Sequence, residues 1–263
     1  MRRNFRFILL LLKLKISRMM VFRISFFGGF FADGMMFLVE LLTFSVIYSH
    51  VDSIGGWSRG QMLIFIGTFS ILNAFNMLIF FFGIVTIPNK IKSGDLDQYL
   101  TKPINPLLRI TFENINPGSF PLLIFSVLIV CYGVKTAGID VSLSTGLAYS
   151  ALVLLMTVLY YDMELILRTI PFLVISANGI MRLEDHLLDL NFRIPGVLFK
   201  GIFKVLFYFV MPYAVMSTVP TQMLSSTLTI PGLVQAVCIA IVFTAFALWF
   251  WRFGLKHYKS ASS

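Results

Sequence analysis

Charge is scarce in this chain. Asp, Glu, Lys and Arg make up 13% of its 263 residues, against about 25% in soluble domains. Acidic residues number 12 and basic residues 21, for a net charge of +9. Cysteine is nearly absent: Cys131 and Cys238 both fall inside apolar runs, which excludes a disulfide framework and reads as plain packing. His50, His186 and His257 are the only histidines; no two have ligand spacing, so no metal centre is expected. No G-x-x-x-x-G-K-[ST] occurs, so the chain has no phosphate-cradling loop of that kind. No nucleophile–base constellation stands out, and no enzyme reading survives. Period-2 alternation is missing as well, which argues against a transmembrane barrel.

Apolar residues are what the chain does have. They make up 58% of it, and the mean hydropathy is +0.88. Several runs are long enough to cross a hydrocarbon core of about 30 Å. The expected fold class is an all-α membrane protein with six transmembrane helices, over residues 24–48, 61–82, 117–134, 143–167, 196–217 and 233–251. Trp57 in the loop 49–60 is expected at the interface, where aromatics collect. Arg168 and Pro171 interrupt the long apolar run that begins at Leu143, so a broken or interfacial piece is expected after the fourth span. Residues 182–195 read as a polar connection and 220–231 as an uncharged loop.

The start, MRRNFRFILLLLKLKIS, imitates a signal peptide, but its apolar core is short and no A-x-A site follows, so it reads as mature sequence. Arg2, Arg3, Arg6 and Lys13 fall on one side of a helical wheel, and residues 1–23 fit an interfacial helix reaching anionic membrane lipids. A basic flank to the first span is the plainer reading. With this topology 19 of the 21 Lys and Arg residues fall on the side of the N-terminus, and only Arg59 and Lys135 on the other. That asymmetry places both termini in the cytoplasm and makes the number of spans even. It accounts for the positive charge without nucleic acid.

The longest polar connection is 83–116, and within it SGDLDQYLTKPINP (residues 93–106) is out of keeping with the rest. Gly94 breaks the chain, and Asp95 and Asp97 suit a first helical turn. Leu96 and Leu100 lie four apart on one face, and Pro103 and Pro106 stop the run. The letters fit a short rigid helix presented outside the membrane, and equally a solvated turn.

The stretch resembles the signature of exporter-class (type-2) ABC transporter permeases, G-[DE]-L-D-x-x-L-x-[KR]-P-x-x-P. Further matches follow in order: IGGWSRGQM at 54–62, INPG at 115–118, Tyr132–Gly133, Tyr160–Tyr161 and VMPYAVMSTVP at 210–220. The pattern departs at Pro171–Phe172 and Ile194–Pro195. The resemblance implies a six-span permease in a prokaryotic inner membrane, paired with a second copy or paralogue. It also implies separate ATPase subunits, which hold ATP and Mg and drive the permease; this chain needs no cofactor of its own. Gly94, Asp95, Leu96, Asp97, Leu100, Lys102 and Pro103 would then form the coupling helix that docks on an ATPase.

Ionisable residues inside spans suggest function. Asp33 and Glu40 share one face of the first span and could line a translocation path. An ion-coupled secondary transporter using these two carboxylates is the alternative function, weakened because the halves of the chain do not repeat. A non-transporting assembly or anchoring protein is a third class. Glu164 and Arg168, at i and i+4, are expected to pair within the fourth span.

Overall fold

The computed structural model describes residues 13, 31, 34–35, 38–39, 41–174 and 178–258. Residues 1–12, Asp33 and Glu40 therefore lie outside the described residues, as does most of the expected interfacial helix and first span. Helix α1 covers 41–47. Then follow α2 (Arg59–Phe75), α3 (Ile87–Ser93), α4 (Asp97–Leu100), α5 (Pro106–Glu113), α6 (Phe120–Ala137), α7 (Leu143–Thr169), α8 (Asn178–Arg193), α9 (Gly201–Val205), α10 (Tyr213–Leu224) and α11 (Ile230–His257). No strand occurs among the described residues. Four stretches are long and apolar enough to cross a membrane: Arg59–Ser93, Pro117–Ala137, Leu143–Phe172 and Ile230–His257. A fifth is counted if the bent pair Gly201–Val210 and Tyr213–Leu224 is one span.

Sharp starts come from local chemistry. Ser58 caps α2 in a reciprocal box with Gln61, which satisfies two N–H groups that the first turn leaves open. Ser142 caps α7 through the Thr145 amide, and Thr229 caps α11 through Gly232. Small residues then let α2 and α6 approach closely. A Cβ on Gly60 would strike the Ala137 backbone, and one on Gly67 would meet Val130. Ser126 donates to Ser70 at 2.8 Å across the same seam. The main core joins α2, α7, α10 and α11 through Leu72, Met156, Leu159, Tyr213, Met216 and Ala236.

Three regions differ from the sequence expectation. The second span does not end at 82. It passes through a π-helical turn at Asn76–Phe80 and continues to Ser93, with Pro88 in the first turn of α3. A proline in the first turn costs no hydrogen bond, because that N–H has no helical partner in any case. Trp57 is buried, its ring edge-on to Phe65 at 5.6 Å, and Tyr48 donates to its carbonyl at 3.0 Å.

The largest correction concerns 178–224. Residues 182–193 are not a loop: they belong to the 16-residue helix α8, and only Ile194 and Pro195 lie beyond its end. Its inner stripe is Glu184, Leu187, Leu188 and Asn191, the spacing of one helical face. Within its first half, one end of which follows α7, Glu184 meets Arg168 of α7. Past the other end, Val197 packs into the Phe44–Trp57–Met62 cluster, and Leu198 lies where a Cβ on Gly55 would be. Sixteen residues rise about 24 Å, so α8 carries the chain from the Arg168 end of the bundle to the Trp57 end. The expected fifth span, 196–217, is instead a bent pair: α9 with its π-helical extension Leu206–Val210 meets α10 at 90°. The Gly196 amide donates to Thr218 Oγ1 at 2.9 Å, which ties the end of α8 to α10. Pro220 lies inside α10, not in a loop.

Candidate functional site

Two arrangements carry the chemistry, one in the segment 94–113 and one within the bundle. In the first, Gly94 ends α3 with φ 78°, a left-handed conformation that glycine adopts without strain. The Leu96 amide then reaches back to the Lys90 carbonyl at 3.2 Å, and the Gly94 amide to Ile91 at 3.4 Å. This closure drops Leu96 into a cluster with Ile87, Leu107, Ile110, Leu165 and Trp251, where it is 0% exposed. Burying a leucine there contributes about 2 kcal/mol.

Tyr99 is held from three sides. Its hydroxyl donates to Glu113 at 2.8 Å, Lys90 Nζ stands 5.1 Å above its ring and the Arg109 guanidinium 4.3 Å from it. Lys90 and Glu113 pair at 2.9 Å. Burial first, and the Glu113 carboxylate second, push the Tyr99 hydroxyl above its ordinary pKa, so it remains a donor. Asn105 caps α5 through the Leu107 and Leu108 amides, with Pro106 in the first turn. Thr111 Oγ1 meets the Tyr161 hydroxyl at 2.9 Å, which ties α5 to α7.

Residues 94–103 therefore form one helical turn, Asp97–Leu100, on a braced base, between the short helix and the solvated turn that the sequence left equally open. Leu96 and Leu100 part company: Leu96 faces the permease interior, whereas Leu100 is 42% exposed. Leu96 therefore cannot anchor a partner while its side chain fills this core. Lys102 and Pro103 are exposed. Asp95 accepts from Ser93 Oγ at 2.6 Å instead of capping α4, and Asp97 opens the turn.

The second arrangement is an ionic cluster. Arg168 Nη2 lies 3.3 Å from Glu164 as expected, and its Nη1 lies 2.5 Å from Glu184. Tyr213 donates to the other Glu184 oxygen at 3.1 Å. The Asn76 amide, in the π-helical turn of α2, stands against Glu164 and Tyr160. One guanidinium thus serves two carboxylates, all three groups being buried. Four helices meet at the cluster: α2, α7, α8 and α10. A separate contact joins Thr244 of α11 to Asp162 of α7 at 2.5 Å. Glu184, Tyr213 and Asn76 had no place in the sequence reading. The repeat 184/187/188/191 was the available signal, obscured by the charges between. Asp33 and Glu40 fall outside the described residues. Among the described residues no group of three His, Cys, Asp or Glu could hold a metal.

A membrane bundle with a braced loop and a buried charge cluster agrees with what sequence comparison finds. The profile of the ABC-2 family transporter proteins matches residues 34–262. This chain belongs to the ABC-2 transporter family. The match covers both arrangements. Comparison with curated proteins and with solved structures finds no match. As an ABC-2 family protein the chain is a multi-pass membrane permease, a transporter membrane subunit of the kind that partners ABC ATPase subunits.

Proposed function

We propose that this permease is the membrane subunit of an ATP-driven exporter, working as a pair and moved by separate ATPase subunits that dock on 94–103. The observation that carries the reading is the braced turn. Its underside is fastened by Leu96 and Tyr99, while Leu100, Lys102 and Pro103 face outward. A partner that pushes on such a turn moves α3, α5 and α7 with it, because those helices share its core. Docking can shift the permease only if its two states contact the ATPase differently, and a rigid knob makes that difference larger than a slack loop would. In this reading the 94–103 end is cytoplasmic; α8 takes Arg193 to the other end, which lowers the Lys and Arg asymmetry counted from the sequence without reversing its sign.

The pairing is supported by α8. Its exposed side carries Arg182, Asp185, His186, Asp189 and Arg193, with Arg193 and Asp189 paired at 3.1 Å in the open. Charged groups along a helix that traverses the bundle do not face hydrocarbon. A second copy facing this side across a hydrated seam accounts for them. Co-purification and ATPase assays test the reading. Leu100→Ala combined with Lys102→Ala should leave the permease folded but release the ATPase, or leave it bound with hydrolysis uncoupled from transport. Wild-type binding and transport in that variant would sink it.

A further inference from the structure

A cavity of about 220 Å³ opens at the other end of the molecule, between α1, α2 and α6. Leu41, Ile66 and Ile129 line its apolar part, and Ser45, Tyr48 and Arg59 also contribute to its wall. Arg59 opens α2 and Ile66 lies seven residues further along it, a rise of about 10 Å, so the apolar part runs along the helix axes away from the cation. Arg59 Nη2 donates to Ser45 Oγ at 3.2 Å, which holds the guanidinium at the mouth. None of the ion pairs among the described residues uses Arg59. The mouth is wet and the depth is apolar: Arg59 is exposed while Ile66 is fully buried. Leu42, on the same wall, is 57% exposed, which leaves a lateral way in.

A cation at a helix end above an apolar slot parallel to the bundle has the layout of one lipid molecule. A guanidinium forms charge-assisted, often bidentate bonds with phosphate, and the slot accepts methylenes that gain by leaving water. We propose that this cavity binds a phospholipid of the leaflet at the Trp57 end, with the phosphate on Arg59 and one acyl chain among Leu41, Ile66 and Ile129. The lipid then wedges α1 against α2 and α6. The site is far from the 94–103 turn and does not depend on how the ATPase docks.

The test uses the full chain in nanodiscs containing a phosphatidylglycerol with a diazirine in its acyl chain. After photolysis the adducts are located by peptide mass spectrometry. The expected labels fall on 41–48, 62–66 and 129–132. Arg59→Gln, at an exposed position, should reduce them about ten-fold, and Ile129→Phe, which fills the slot and leaves the cation, should reduce them similarly. A diazirine diacylglycerol, which has no phosphate, should label the wild type as weakly as phosphatidylglycerol labels Arg59→Gln. Excess inorganic phosphate should not displace the lipid. Equal labelling by both lipids would overturn the proposal, as would labelling unchanged by either substitution, or displacement by phosphate alone.

Discussion

Arg168 on α7 and Glu184 on α8 meet at 2.5 Å, nearly sealed from solvent, across a separation of 16 residues. Glu164 lies on the other side of the same guanidinium. Taking ions out of water costs several kcal/mol each, which is offset only while the partners remain. Arg168→Leu leaves two carboxylates facing each other and should lower stability by about 3–5 kcal/mol. Glu184→Gln leaves Arg168 balanced by Glu164 and keeps an oxygen for Tyr213, so it should cost about 1–2 kcal/mol. Thermal unfolding of the purified chain in detergent compares them. An Arg168→Leu protein as stable as Glu184→Gln would mean that the cluster does not hold α7 to α8.

Leu96 and Leu100 should separate stability from coupling. Leu96→Ala empties a filled core and should cost about 2–4 kcal/mol, opening 94–103 to limited proteolysis. Leu100→Ala removes only an exposed side chain, so stability should stay within about 0.5 kcal/mol. Equal protease sensitivity of the two variants would contradict the braced turn.

Gly83 lies in the short helix Phe81–Ile84, which continues from the π-helical turn after α2 and leans on α5. A Cβ there would run into the Ile110 carbonyl oxygen and stand 3.0 Å from that of Thr111. Backbone atoms cannot rotate away, so Gly83→Ala should destabilise by about 1–3 kcal/mol. Gly146→Ala is the contrast, since its nearest neighbour is Val141 Cγ1 at 3.8 Å. That change should be neutral or stabilise the helix by up to about 1 kcal/mol. The unfolding midpoints of the two proteins should move apart, and a common shift would be inconsistent with the close approach.

Cross-linking checks the path of α8. With Cys131 and Cys238 replaced, Ile54→Cys with Leu198→Cys should be joined by a short bifunctional reagent. Gly55, one residue and about 3.8 Å along the chain, is in contact with Leu198. Leu173→Cys with Leu198→Cys should not react, because the length of α8 lies between them. The reverse pattern would return residue 198 to the Arg168 end.

Much of this protein was settled by composition and local pattern. Long apolar runs without charge have one stable environment, and α6, α7 and α11 lie close to where those runs predicted spans. Glu164 and Arg168 could be paired from spacing alone, because a helix fixes the distance between i and i+4. Gly94 and Pro103 marked real breaks, since their backbone limits act whatever surrounds them, whereas Pro106 opens α5 instead of stopping a helix. Tertiary structure decided the rest. Leu96 and Leu100 have equal hydrophobicity, and only the fold of 87–113 determined which one is buried. The charges of α8 argued for a loop, yet Arg168, Tyr213 and the α10 surface gave its Glu184 face an interior. A buried carboxylate is stable only opposite a partner, and that partner lies too far away in the sequence for any local pattern to show it.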